Sequence, residues 1–390
     1  MRFCHLAYSF YETDFRVRRY AELLAQRGHE VDVVALHRGN KERVVRLERV
    51  NVYRIQRRRV TESRAVGYLA KLLLFLSRSF FWITARHRRF PYDLIHVHNV
   101  PDFLVFAAGF PKWKGARVIL DVHDLLPELY AGKFPQANNG RIPLLLGAVE
   151  KLSSNFADHV IVANDLWRDK LVARCVTPEK CTALLNYPDV ERFRPRRARP
   201  ANDGRFLLLY PGTLNRHQGV HLALEAFAKA ADRMPGAEFH IYGEGPARPA
   251  LERLAGSAPL AGRVTILDPI PLDEVARRVA DADLGIIPKL AEGFGDEAFS
   301  TKSLEFMACG VPLVMSRTRI DSHYFDDSLV RFFPSGDVEA LAEILVDEYR
   351  NRDTARERAA RALEFARRES WQNRRQIYLD LVSRLTGKPV

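Results

Sequence analysis

The amino-acid sequence predicts an α/β protein built as two doubly wound parallel-sheet domains, each Rossmann-like. Two observations carry that prediction. Short apolar runs rich in β-branched residues alternate with longer segments of helical period almost throughout, as in βαβ units whose strands are covered on both faces. The alternation stops at Asn186 to Gly204, a stretch with three prolines and five arginines and no periodicity, and then restarts. A chain of 390 residues, 47% of them hydrophobic, is long enough for two such cores.

In the first half the strand candidates are Phe3 to Tyr8, Glu30 to Leu36, Asp93 to His98, Arg117 to Val122 and His159 to Ala163. Val44 to Gln56 alternates polar and apolar residues and reads as a hairpin or a pair of edge strands. The second half offers FLLLYPG from Phe206, AEFHIYG, RVTILD, DLGIIP, VPLVMS and VRFFP, each followed by a helix-length segment. The stretch from Asn186 to Gly204 reads as a linker, which puts the domains at 1–200 and 201–369. The final segment, about 370–390, is expected to be a helix that packs back on the first domain.

Composition narrows the class of partner. A formal charge of +12 favours phosphate-bearing ligands, whether nucleotide, anionic membrane or nucleic acid. The four cysteines are widely spaced, without a CxxC pair or a Cys/His cluster of metal-site spacing, so neither disulfides nor zinc are expected. The N-terminus lacks the succession of a secretion signal, which predicts a cytoplasmic protein. Arg64 to Arg89 is apolar and aromatic, flanked by arginines and interrupted by Lys71 and Arg78. A helix covering a sheet is the first reading; contact of its basic end with an anionic membrane is compatible with it.

The most informative stretch is Asp283 to Ser316, which reads strand, glycine-containing loop, helix, Gly310 as a stop, then strand. Ser300 or Thr301 can cap the helix, leaving the N–H groups of Phe299 to Lys302 at a positive dipole end that suits a diphosphate. Lys302 adds a full charge. Glu305, one turn on, can accept from two ribose hydroxyls, and Glu297 sits eight positions earlier, in the loop.

This Glu-x7-Glu arrangement, followed by EFMACGVPLV, resembles the signature of retaining glycosyltransferase family 4, whose architecture is GT-B. Two further segments are similar to that family. Leu208 to Phe227 matches its glycine-rich turn, although Thr213 and Gln218 stand where the family's phosphate-binding arginine and lysine usually do, leaving Arg216 as the strong cation. His240 to Leu254 supplies a GEGP turn with Gly243, Glu244 and Gly245.

In the first half, Val118 to Tyr130 ends a strand with His123 and Asp124, where the family places a residue beside the donor sugar. His98, Asn99 and Asp102 lie at a similar strand end, with helix capping the favoured role for Asp102. The first loop lacks the family's usual glycines; Arg16, Arg18 and Arg19 crowd the helix start instead, for acceptor phosphate capture or as surface charge.

The resemblance implies a glycosyltransferase acting on a UDP- or GDP-sugar with retention, with no cofactor and no required metal, and no Asp-x-Asp pair of the metal-dependent kind is expected. It assigns His123, Asp124 and Glu297 to the reacting sugar. It assigns Gly212, Gly243, Glu244, Phe299, Ser300, Thr301, Lys302 and Glu305 to the donor; Thr213 and Arg216, where the turn departs from the family, are read with them, and Arg16 and Asn99 are read from their own positions as acceptor candidates. The expected acceptor is lipid-linked or saccharide, in cell-surface polysaccharide synthesis, with peripheral membrane contact and no nucleic acid. An NAD-dependent oxidoreductase is the alternative enzyme, disfavoured because no GxGxxG follows the first strand. A non-catalytic binder of polysaccharide or nucleic acid would leave the glycine turns unexplained.

Overall fold

The computed structural model describes residues 1–39, 42–58, 65–133, 141–196 and 204–390. Its packing divides the chain into two compact units, Met1–Leu185 with Gln376–Val390, and Asn186–Arg375.

The first unit holds β1 (Arg2–Ala7), β2 (Glu30–His37), β3 (Val44–Leu47), β4 (Val50–Arg57), β5 (Leu94–His98), β6 (Arg117–Val122), β7 (His159–Val162) and β8 (Cys181–Ala183). Their order is β3-β4-β2-β1-β5-β6-β7-β8. Every neighbouring pair is parallel except β3 with β4, so the alternating segment is a hairpin at the sheet edge. β8 escaped the sequence reading because three residues, Cys-Thr-Ala, carry too little pattern to register.

Right-handed crossovers put helices that lead outward on one side of β1 and those that lead outward on the other onto opposite faces. Phe15–Gln26 therefore covers one face, while Ala65–Arg89 and Arg141–Phe156 cover the other. Ala65–Arg89 buries Leu72, Phe75, Ser79 and Ile83, a stripe at helical spacing. Its opposite side is still apolar: Leu69, Leu73, Leu74 and Phe81 are exposed, Phe81 by 68%. Arg141–Phe156 likewise turns Leu144, Leu145 and Leu152 outward. Gly67–Arg89 is long and apolar enough to cross a membrane by length and composition.

The second unit holds β9 (Phe206–Pro211), β10 (Ala237–Tyr242), β11 (Val264–Leu267), β12 (Leu284–Ile287), β13 (Leu313–Arg317) and β14 (Arg331–Pro334). All run parallel in the order β11-β10-β9-β12-β13-β14. Leu208, Tyr210, Phe227, Phe239, Ile286 and Leu345 are among the residues of its continuous core.

The division of the chain falls before the stretch read as a linker. Asn186–Arg196 packs with the second unit: Phe193 is buried, Trp371 N donates to Pro188 O at 3.0 Å, and Gln372 Nε2 donates to Asp189 Oδ1 at 2.7 Å. Residues 197–203 lie outside the described residues. The helix Trp371–Thr386 contains the second division, between Arg375 and Gln376. Its Tyr378 is fully buried in the first unit, 4.4 Å from Tyr20 between ring centres and with its hydroxyl 3.0 Å from His96 Nδ1.

Removing that ring should open a cavity under the first sheet. Tyr378→Ala is expected to cost ~3–5 kcal/mol, and Tyr378→Phe about 1 kcal/mol for the lost hydrogen bond. Chemical denaturation of the full chain measures both, and equal midpoints for the two variants would contradict the packing described.

Candidate active site

In the second sheet β9 and β12 are neighbours although β10 and β11 intervene in the chain, so the loops leaving their carboxyl ends diverge. Open α/β sheets bind ligands at such a switch point. The turns there are fused. Gly212 N donates to Tyr242 O at 2.8 Å, Leu214 N to Glu244 O at 2.9 Å and Leu290 N to His217 O at 2.8 Å. A Cβ on Gly243 would stand 1.9 Å from Gly212 O, and one on Gly219, whose φ is +68°, 1.8 Å from Pro288 O. Only glycine permits this backbone approach.

Lys302 leans over that platform from the first turn of the Thr301–Ala308 helix. A methyl on Gly212 would meet Lys302 Nζ at 3.2 Å, and the ammonium lies 5.4 Å from the centre of the Tyr210 ring. Burial pulls the amine down to about 8, against the opposing pull of Glu305 and with a further push from Lys289. The helix's first N–H groups have no partner within the helix. Ser300 occupies the cap position, but its hydroxyl makes no cap bond and is a buried atom without a partner. The side-chain cap expected from Ser300 or Thr301 is therefore not made.

Arg216 stands exposed on the Arg216–Gln218 turn, and its side chain meets no partner among the described residues. Thr213 and Glu244 are also exposed. Gln218, in place of the family's lysine, accepts from the Tyr210 hydroxyl at 3.3 Å. Phe299 packs its ring on Tyr324 at 5.1 Å, leaving only its backbone for a ligand.

Glu305 is half-buried in the helix. Glu297 lies not in open loop but at the end of a single turn, Phe294–Glu297, buried and 3.2 Å from Arg319 Nη1. What anchors this segment was missed in the sequence. Lys289, buried, pairs with Asp321 Oδ2 at 2.8 Å and donates to Ala298 O at 2.7 Å, tying β12's exit to the approach of the helix. A lysine inside the apolar run that leaves a strand was the available signal. An Asp-x-Asp triple does occur, at Asp281-Ala282-Asp283, contrary to expectation. It lies at the entry of β12: Asp283 Oδ2 accepts from Leu207 N at 2.8 Å, and Asp281 pairs with Arg196 at 3.1 Å.

In the first unit the register pairs His5 with His96 and His98 with Asp121. Two-residue alternation then brings all four side chains to one face, with His123 just beyond the end of β6. Asp121 is fully buried and held by Arg16, Nε to Oδ2 at 2.8 Å and Nη2 to Oδ1 at 2.7 Å. Against the penalty of burial, Arg16 with His123 and His98 holds this carboxyl well below the usual range. Arg16 Nη1 donates to Leu184 O at 2.8 Å, so Arg16 is neither a surface charge nor a hand for acceptor phosphate; it is 4% exposed and committed inward.

His98 Nδ1 and His123 Nε2 each approach Asp121 Oδ2 at 3.1 Å and each other at 3.1 Å. Among the described residues two clusters, His5-His96-His98 and His98-Asp121-His123, have the proximity of metal ligands, which chain spacing hides. The Arg16 guanidinium already bonds the oxygen a cation would take, and its fixed charge opposes one there. We read the cluster as a hydrogen-bonded network.

Asn99 is also a brace. Its Nδ2 donates to Asp102 Oδ1 and Asp124 O, both at 2.8 Å, and its Oδ1 accepts from His123 N at 2.7 Å. Asp102 does not cap the 3-10 segment Asp102–Ala108: Pro101 holds the cap position, and burial lifts the Asp102 carboxyl to about 6.

Two Rossmann-like sheets with a phosphate-type platform on the second define the class of GT-B proteins. The family descriptions that match are Glycosyl transferase 4-like domain over residues 14–186 and Glycosyl transferases group 1 over residues 205–351. Alpha-D-kanosaminyltransferase from Streptomyces kanamyceticus is 26% identical over 314 residues, 75% of this chain and 79% of that one. A GDP-mannose-dependent phosphatidylinositol dimannoside mannosyltransferase from Mycobacterium tuberculosis is 36% identical over 136 residues, 33% of this chain and 34% of its own. The structure of Anabaena HepE in complex with UDP and glucose has a TM-score of 0.74 at 17% identity, covering 98% of this chain and 100% of the other. The chain belongs to the family 4-like glycosyltransferases of GT-B fold.

If a diphosphate sits on this platform, it meets the ammonium form of Lys302, present below about pH 8 and lost above it. Titration calorimetry with UDP and GDP should show affinity falling up to about tenfold per pH unit as pH rises through that value. Lys302→Met should bind weakly and lose the pH dependence; a flat wild-type profile would remove Lys302 from the phosphate site.

Proposed function

We propose that the protein transfers a hexosyl group from a UDP- or GDP-sugar, with retention and without a metal, to a lipid-linked or saccharide acceptor in cell-surface polysaccharide synthesis. The single observation that carries the reading is Lys302 over Gly212 at a helix amino end, a ready diphosphate site. The names of the mannosyltransferase relative and of the UDP-bound HepE support nucleoside diphosphate donors of these two kinds.

In this reading the helix N–H groups, Lys302 and Arg216 neutralise the diphosphate as it leaves, the part a metal takes elsewhere. Glu305 accepts from the ribose hydroxyls, Glu297 from the sugar's, and His123 and Asp124 serve the reacting sugar. The anomeric C–O bond breaks with its electron pair going to the diphosphate, through an oxocarbenium-like state. The acceptor hydroxyl attacks from the same face, and its proton passes to a leaving phosphate oxygen.

Exposed Leu73, Leu74 and Phe81, with Lys71, Arg78, Arg88 and Arg89 on the same helix, support an acceptor presented at the inner face of an anionic membrane. Cosedimentation of the full chain with vesicles of phosphatidylglycerol should fall with added salt and drop several-fold in the double variant Leu73→Glu/Phe81→Glu. Retention of the variant at wild-type level would remove the membrane from this proposal.

A donor panel read by slow hydrolysis needs no acceptor. One UDP- or GDP-sugar should be consumed; Glu305→Ala should chiefly raise its KM, and His123→Ala chiefly lower kcat. Full activity of both variants at saturating and limiting donor would overturn the assignment.

A further inference from the structure

The buried network behind His123 fixes where that ring keeps its proton. Asp121, ionised and bonded by Arg16, can only accept. His123 Nε2 and His98 Nδ1, both 3.1 Å from Asp121 Oδ2, can bond it only as donors. Their own 3.1 Å approach is then two donors sharing one acceptor. Burial holds His98 below the usual imidazole range, so with Nδ1 protonated its Nε2 is a lone pair, which His5 Nδ1 fills at 3.1 Å. Burial likewise keeps His5 neutral, and its Nε2 is left as a bare buried acceptor. One proton arrangement makes all three of these bonds: His5 to His98, His98 to Asp121, and His123 to Asp121, with the His98–His123 approach left unbonded. In it His123, when neutral, carries its proton on Nε2. Its Nδ1 meets no partner among the described residues, and the side chain is 21% exposed. The backbone of the same residue is pinned through His123 N to Asn99 Oδ1.

We propose that Asp121, locked by Arg16 and backed by His98 and His5, is a positioning residue that sets His123 in its Nε2–H form, so that Nδ1 offers a lone pair to a hydroxyl of the transferred sugar. The ring then selects a hydroxyl donor at that point, and a phosphate oxygen, which can only accept, is disfavoured there. This rests on the functional reading above, and goes beyond it in naming the atom and the ligand group it takes.

Long-range 15N–1H spectra of the full chain labelled at histidine report which ring nitrogen is protonated, without any activity. They are recorded at alkaline pH, where the spectrum no longer changes; His123→Gln assigns its signals. Wild type should show His123 protonated at Nε2. Asp121→Asn leaves Arg16 buried without its counter-ion, so the variant to use beside it is Arg16→Met/Asp121→Asn, which removes both charges. There the new amide can donate to Nε2, and the proton should move to Nδ1. That variant should hydrolyse donor with kcat lowered about tenfold or more, as for a mismatched hydrogen bond. Its affinity for UDP or GDP, read by calorimetry, should be unchanged. A wild-type ring protonated at Nδ1 overturns the network assignment, and a variant with the proton moved but kcat intact overturns the role toward the sugar. If wild type hydrolyses no donor while its spectrum shows Nε2–H, the functional reading falls and the sugar hydroxyl with it, although the proton arrangement stands.

Discussion

A charge shut away from water must carry its counter-ion with it, and both units are organised around that requirement. Arg16 with Asp121 and Lys289 with Asp321 are each at most 4% exposed at the side chain, and each lies where strands leave a parallel sheet toward the candidate residues. Breaking either pair from one side would strand a lone buried charge, a loss of roughly 3–5 kcal/mol. Replacing such pairs by apolar residues is often neutral for stability. Their value here is in the hydrogen bonds they direct: Asp121 to His98 and His123, Lys289 to the Ala298 carbonyl.

In the second unit, backbone packing alone builds the platform on which the candidate donor residues stand. Glycines at Gly212, Gly219 and Gly243 let three turns close on one another, and any side chain at Gly219 or Gly243 would enter a carbonyl oxygen. A lysine amine lies over the backbone there and over the Tyr210 ring. Its burial lowers the amine toward neutrality, which is the cost of holding a cation in a fixed place. The same burial would strengthen its attraction for any anion placed against it, because less water screens the pair.

Much of this was legible in the sequence, and the rest was hidden for identifiable reasons. Strand runs such as FLLLYP and GIIP announce themselves because both faces of a parallel strand are apolar, and the observed β9 and β12 fall within the predicted runs. The glycine turns and the helix start at Lys302 are legible because they depend on residues adjacent in the chain. Arg16 was not understood, since its partner lies 105 residues away and only the fold joins them. Asn99 and Asp102 were recognised as a polar pair at a strand end, but their roles depend on which backbone groups face them, a matter of register. The cluster of His5, His96 and His98 is invisible to spacing for the same reason, as it is assembled from neighbouring strands.

The two units also solve opposite problems with similar means. On the glycine platform positive charge is left open: Arg216 is exposed and Lys302 is restrained by packing more than by pairing. Behind His123 positive charge is instead consumed internally: Arg16 spends all three of its nitrogens on Asp121 and Leu184. A mobile or exposed carboxylate behind His123 could itself take up a proton and let the ring turn over. Asp121, buried and held ionised, cannot follow that course within the ordinary pH range, and the imidazole orientation becomes a property of the sheet.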